Sequence, residues 1–322
     1  MKPLLPIVAA LALAVLEVPL AGAQAWPDKP LKMIVAFTPG GLIDTFARTL
    51  QPRLAEGLGQ PVIVENRGGA GGTLAEATVA KSPPDGYTVL VTADSPAANP
   101  HLYRNLNYEL FRDLTPVTML VRVPLVLLVH PSVPAASLAE FVAYVRARQG
   151  QFAYATTGSG TSNHLSMEVL KRLAGISMTH VPYKGGAQVM ADVIGGQVPS
   201  TLIAITLAAP QVRSGKLKAI AVTGDKRAAL LPQVQTFAEG GYADFPPGQW
   251  CGLWVPAGTS PAVIQRLYAE SAKAIRNPEV QARLHQLGAE IVMNSPAEFA
   301  AFLRSEHARI GELVREHKIT AD

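Results

Sequence analysis

The stretch from Ile34 to Arg48 reads as an apolar strand, a turn carrying the adjacent glycines Gly40 and Gly41, and an amphipathic helix. This order of parts constrains the fold more than any other feature of the chain. Glycine lets backbone approach a partner closely. The first N–H groups of a helix have no intrahelical acceptor and sit at the positive end of its dipole. A strand that feeds such a turn therefore builds an anion seat. Ala155 to Ser162 and Pro182 to Ala187 repeat the arrangement between an apparent strand and an apparent helix. Such repetition predicts α/β units whose loops gather at the carboxyl ends of strands, where open sheets bind ligands.

Periodicity supports this. Strand-like runs at Leu31 to Phe37, Val62 to Glu65 and Thr88 to Thr92 alternate with helical patterns, which predicts a largely parallel sheet. Phe46, Leu50, Leu54 and Leu58 mark one packed helix face, ending near Gly57 to Gly59. A second series runs from Leu125 to Val129 through a helix at Leu138 to about Arg148, opened by the capping box Ser137 and Glu140. It continues with a strand at Phe152 to Ala155, a helix from Ser162 to Ala174, and strands at Met178 to Pro182, Thr201 to Ile205 and Lys218 to Thr223. Ser260-Pro261, Asn277-Pro278 and Ser295-Pro296 start three C-terminal helices.

Of the 322 residues, 48% are hydrophobic and 16% charged, the balance of packed domains and not of a disordered chain. Residues 1–25 differ in kind: Lys2, an apolar run from Leu4 to Leu16, then small residues ending at Ala23 and Ala25. They read as a secretory signal peptide, cleaved after Ala25 or Ala23 and too short to span a bilayer. The net charge of +4, with no Lys/Arg block, gives no case for nucleic acid. Cys251 is the one cysteine, in the apolar run Trp250 to Val255, so no disulfide forms and the thiol reads as a buried small hydrophobe. An exported protein that is not membrane-inserted is expected.

The residues offer little for catalysis. Seven histidines show no H-E-x-x-H and no Cys/His cluster. Gly158-Ser159-Gly160 lacks the spacing of a nucleophile elbow, and Gly69 to Gly72 lacks the third glycine of a dinucleotide fingerprint. No metal or cofactor and no enzyme activity is expected. What stands out is Thr156 to Ser162, a run of neutral donors with two glycines directly before a helix. Read alone, it is either a ligand loop or a surface loop with Ser162 as N-cap.

Several ordered segments carry a family resemblance: Trp26 to Pro30; Phe37-x-Pro39-Gly40-Gly41-x-x-Asp44; Leu58 to Arg67; Gly69 to Gly72; and Pro84 to Tyr87. Asn99-Pro100, Gly158-x-Gly160 with His164, Val181 to Gly185, Gly215 to Thr223 and Ser295 to Phe299 continue the set. Over nearly its whole length beyond residue 25 the chain resembles the Bug family of periplasmic solute-binding proteins, related to the binding components of tripartite tricarboxylate transporters. The resemblance implies an α/β, two-domain periplasmic binding protein fold of the second topological type, a Venus flytrap with a mostly parallel sheet in each domain. Residues 26–122 and 222–322 would form the first domain and 123–221 the second.

It further implies a small carboxylate ligand, a periplasmic location and a monomer, with transporter subunits or a sensor kinase as possible partners. Carried onto this sequence, the ligand loops are Phe37, Thr38, Pro39, Gly40 and Gly41, with Asp44; Ala93, Asp94 and Ser95; Thr157, Gly158, Ser159, Gly160, Thr161, Ser162 and His164; and Tyr183, Lys184 and Gly185. Ile203 joins them at a strand end where relatives often place a polar residue, which argues against a ligand ammonium group. Leu42 and Ile43 replace the usual proline and hydroxyl residue, so the pocket is expected to be more apolar than in relatives. Several of these residues keep a structural alternative. Asp44 is also a natural first-turn acid, and His164 either packs at a helix start or touches ligand. Asp94 reads as a cap for a helix starting at Pro96, or as a pocket residue, and Ser95 is the better-placed cap. Lys184 is either solvated or in the cleft, while Glu65 and Arg67 read as a structural pair.

Overall fold

The computed structural model describes residues 26–246, 248–317 and 319. The leader expected at residues 1–25 lies outside them. The chain begins with β1 (Leu31–Val35), α1 (Leu42–Leu58), β2 (Val62–Asn66), a 3-10 turn (Ala70–Gly72), α2 (Thr73–Ala80), β3 (Thr88–Thr92), α3 (Ser95–Leu102), α4 (Leu110–Asp113) and β4 (Leu114–Val123). There follow β5 (Leu125–Val129), α5 (Leu138–Arg146), β6 (Ala153–Thr156), α6 (Ser162–Ala174), β7 (Thr179–Pro182), α7 (Gly186–Ile194), β8 (Ser200–Ala204), α8 (Ile205–Arg213) and β9 (Lys218–Val222). The last elements are β10 (Gln249–Pro256), α9 (Pro261–Arg276), α10 (Pro278–Gln286), β11 (Glu290–Ile291) and α11 (Pro296–His317).

The strands form two sheets, ordered β11-β4-β10-β3-β1-β2 and β7-β6-β8-β5-β9. In the first, β1 runs parallel to β2 and β3; in the second, β6 runs parallel to β7 and β8. Every strand-turn-helix unit thus contributes to a parallel set, and the loops after β1, β3, β6, β7 and β8 emerge on the carboxyl edges. Both sheets are mixed, each combining its parallel set with antiparallel pairs. The strands on either side of the crossings, β4, β5, β9 and β10, pair antiparallel; β5 enters the second sheet and β10 the first from the other half.

The expected helix face holds: Phe46, Leu50, Leu54 and Leu58 of α1 are all buried. Gly59 ends α1 with φ 69°, the left-handed conformation that glycine adopts without a Cβ penalty. The chain crosses between sheets at Pro124 and returns at Gly248, where a Cβ would lie 2.7 Å from Val123 O. Between β9 and β10 the connection packs on the second sheet. Val222 bridges Thr236, the Phe237 and Phe245 rings stack at 3.7 Å, and a Cβ on Gly240 would meet Leu138 of α5. Cys251 is buried, as its apolar neighbours suggest.

Candidate functional site

A cavity lies where the carboxyl edges of the two sheets meet. About 40 Å³ of it is open to water. The first sheet contributes Phe37, Thr38, Gly41, Leu42 and Ile43, together with Gln249 at the start of β10. The second contributes Leu125, Thr157, Asn163, Gly185, Gly186, Ile203, Ala204 and Leu207. Contact across the seam is close. A Cβ on Gly71 would lie 3.0 Å from Ser159 O, and one on Gly160 would lie 2.5 Å from Leu102 Cδ1. Arg172 of α6 also pairs with Glu316 of α11 at 3.2 Å.

The first loop is held by a side chain beneath it. Asp44 Oδ2 accepts from Gly40 N–H at 2.9 Å, and Oδ1 accepts from Arg48 Nε at 2.9 Å and from Asn66 Nδ2 at 2.9 Å. Burial alone would push this carboxyl up; the bonds from Gly40, Arg48 and Asn66 outweigh it and hold the group below the usual range. Asn66 also donates to Phe37 O at 3.0 Å. Asp44 therefore fastens the turn and is not among the residues lining the cavity.

Across the seam, Asn163 organises the second loop. Its Oδ1 accepts from Thr157 Oγ1 at 3.3 Å, from Thr161 Oγ1, and from the His164 N–H at 3.0 Å. His164 is buried and its Nδ1 accepts from the Gly160 N–H at 3.0 Å, a role only the unprotonated nitrogen can fill. Burial pushes its imidazole down to about 4. The ring stacks on His180 at 4.0 Å, which burial likewise pushes down to about 3. His164 therefore shapes the glycine loop from behind.

The cavity wall carries no charged side chain. Its electrostatics come from backbone. Four helices, α1, α6, α7 and α8, start on this wall, and none of their N-cap residues, Gly41, Thr161, Gly185 and Ala204, makes a side-chain cap bond. Helices α5, α9 and α10 are capped by Ser137, Ser260 and Asn277, none of which lines the cavity; α2, α3 and α4 also start without a side-chain cap bond, away from the cavity. Each helix start carries roughly half a positive charge on its free N–H groups, so an uncharged wall presents a positive field suited to an anion.

The family model for the tripartite tricarboxylate transporter family receptor matches residues 46–319. The chain belongs to this family. Its members are receptors for solutes and not enzymes. The receptor family places the chain beside Protein BugT of Bordetella pertussis, 36% identical over 91% of each chain. A protein of the tcbD-tcbE intergenic region of Pseudomonas sp. strain P51 is 33% identical over 93% of this chain and 89% of its own. Among solved structures, periplasmic binding protein BugD is 34% identical with a TM-score of 0.86, covering 92% of this chain and 99% of its own. MatC of Rhodopseudomonas palustris, solved with bound malate, is 34% identical with a TM-score of 0.85, over 89% and 99%. A second R. palustris protein, solved with adipate, is 32% identical with a TM-score of 0.87, over 92% and 99%. The fold is thus the two-domain α/β fold of periplasmic binding proteins. Among the described residues, no helix is long and apolar enough to cross a membrane.

In this receptor chain, six of the residues anticipated from sequence meet at the cavity: Phe37, Thr38, Gly41, Thr157, Gly185 and Ile203. Gly158, Ser159, Tyr183 and Lys184 line an adjoining outer cleft of about 300 Å³, which shares Phe37 and Thr157 with the inner one. Lys184 is exposed there. Pro39 and Gly40 are exposed on the far side of the first turn. Ala93, Asp94, Ser95, Gly160, Thr161, Ser162 and His164 are buried around the seam without lining either space.

Three local expectations change. Thr161, not Ser162, takes the N-cap position of α6. Asp94 stands at the N-cap of α3 but caps nothing. Ser95 donates instead to the buried Glu76 at 2.5 Å, whose carboxyl also accepts from Asn99 at 2.7 Å and from Tyr108. Burial pushes Glu76 up despite these bonds. Glu65 and Arg67 do pair, at 3.8 Å. Sequence reasoning missed Asn163, Gln249, Leu125 and Leu207 as wall residues. Asn163 was legible in principle as the one amide inside the hydroxyl-rich loop.

Proposed function

We propose that this chain is a periplasmic receptor that captures one small carboxylate between its two halves, for uptake by a tripartite tricarboxylate-type transporter or for sensing. The observation that carries the reading is the convergence of four uncapped helix starts on a cavity without a charged wall residue. Charge-assisted bonds from backbone N–H groups hold a carboxylate without the desolvation cost of a buried arginine. The malate and adipate of the neighbouring structures support the class. In the proposed pose the carboxylate meets Thr38, Gly41 and the starts of α1 and α7. Asn163 and Gln249 supply side-chain amides, and Leu42, Ile43, Ile203 and Leu207 hold the ligand body. The apolar share of that wall supports a ligand with a hydrophobic body.

The bounds read from sequence, 26–122 with 222–322 against 123–221, are changed in our proposal at one place: Val222 ends β9 of the second sheet, and the connection 223–248 packs on that sheet, so residues 222–248 go with the second domain. The proposed leader, residues 1–25, would deliver a monomer to the periplasm. A thermal-shift screen of a carboxylate library tests the reading, because a ligand that binds only the folded form raises its melting temperature by mass action. Stabilisation by at least one carboxylate is expected, and its loss in Gly40→Val and Gly158→Val, whose native φ values are 76° and 137°. A library without a hit, or a hit bound equally by both folded variants, would overturn it.

A further inference from the structure

The strongest feature outside the cavity is a pair of buried polar atoms on the seam. Asp94, in the loop after β3, is 6% exposed and Ser162, the first residue of α6, is 8% exposed. Asp94 Oδ1 and Ser162 Oγ are both buried and neither makes a hydrogen bond of good geometry, although the Ser162 hydroxyl lies near enough to favour the Asp94 anion. Around them α6 is pressed onto the first half: Leu165 belongs to the core cluster of Ile34, Ala97, Trp254 and Phe299. Ser162 of the second half thus stands against Asp94 of the first.

We infer that Asp94 is a proton-binding site coupled to closure, its carboxyl ionised when the halves part and protonated when α6 seals over it, so that solute capture takes up one proton. This rests on the proposed closure around a solute. A buried carboxylate lacking full hydrogen bonding is disfavoured against its neutral form, and a neutral carboxyl has an O–H to donate. The groups facing Asp94 do not supply a compensating cation. Glu306 of α11 opposes its ionisation and Arg309 favours it, but Arg309 is already paired with Glu306 at 2.6 Å. Cys251 of β10 is a neutral thiol that Asp94 itself helps push up, after burial. The Ser162 hydroxyl and the Asp94 main-chain N–H favour the anion. Burial is the larger effect and raises the carboxyl to about 7.

The sign follows directly. A solvated aspartate in the open form titrates near about 4. As pH falls from about 7 toward that value, the closed form gains about tenfold per pH unit over the open one. Above about 7 both forms are ionised and the preference no longer changes.

A ligand-free test exists because a Cβ on Gly185 would lie 3.6 Å from Thr38 Cβ, within the disulfide range. The double variant Thr38→Cys/Gly185→Cys, oxidised, locks the halves, and reduction frees them. The Asp94 carboxyl carbon is titrated by NMR in both states of the full chain and assigned by its loss in Asp94→Asn. A midpoint at least two pH units higher in the locked state is expected. An ordinary aspartate midpoint in the locked state would overturn the inference, as would a disulfide that fails to form in the folded protein. If no carboxylate binds yet the locked midpoint is raised, the proposed function fails and the proton site stands.

Discussion

Gly185→Ala is the sharpest probe of how the halves meet. The native backbone at this position has φ 175° and ψ 166°, extended values open to alanine, so the substitution introduces no local strain. The new Cβ would instead meet the Thr38 hydroxyl across the seam, 3.6 Å from Thr38 Cβ and 3.8 Å from Cγ2. The Oγ1 approach is roughly 1 Å inside normal contact. Thr38 can escape by leaving its rotamer at about 0.5–1.5 kcal/mol, or the halves stay slightly apart. An overpacked methyl of this kind costs about 1–3 kcal/mol, which corresponds to roughly 5- to 150-fold in affinity. Isothermal titration with a carboxylate found by thermal shift measures it, in wild type, in each single variant and in Thr38→Ala/Gly185→Ala. The loss should largely vanish in the Thr38→Ala background. An unchanged Kd for Gly185→Ala, or the same loss with and without the Thr38 side chain, would refute the contact.

Two further outcomes follow from the groups behind the loops. Asp44→Ala should lower unfolding free energy by about 2–3 kcal/mol at pH 7, since a buried charged acceptor is removed from three donors. The native carboxyl is depressed, so its contribution is present above about pH 4 and is lost as pH falls through the lower folded value; urea melts at pH 7 and pH 3 read the difference. For His164, whose imidazole is pushed down to about 4, the sign concerns the neutral form. Stability is full above about pH 6.5 and falls by up to about 1.4 kcal/mol per unit toward pH 4. The gap between wild type and His164→Gln should close over that range in melting experiments, and a constant gap would count against the bond to Gly160.

The sequence made the repeating units legible because each is local: a buried strand, a glycine turn and a helix start all lie within about fifteen residues in the first loop. Thr38, Gly41, Thr157 and Gly185 lie in loops that this pattern marks, and the family resemblance picked out the same loops; all four line the cavity. Gln249 could not, since it opens a strand after a long connection, and only the antiparallel return of β10 between β3 and β4 carries it to the wall. Leu207 sits inside a helix whose start happens to face the seam. Asp94 misled for a related reason. Its place after a strand and before Ser95-Pro96 has the form of a cap, but the Ser162 hydroxyl that faces it belongs to α6, on the other sheet. Local pattern reports what a residue does for its own turn, and the second half of the molecule decides what it faces.

The uncapped helix starts bear on how such a receptor changes over generations. In the proposed receptor the anchoring donors are main-chain groups, which an exchange of side chain other than to proline leaves in place. Leu42, Ile43, Ile203 and Leu207 line the same cavity with side chains alone, so in that reading an exchange there would reshape the space without removing the anchor. A lineage built this way can shift from one acid to another by exchanging wall side chains while capture of an anion as such persists throughout.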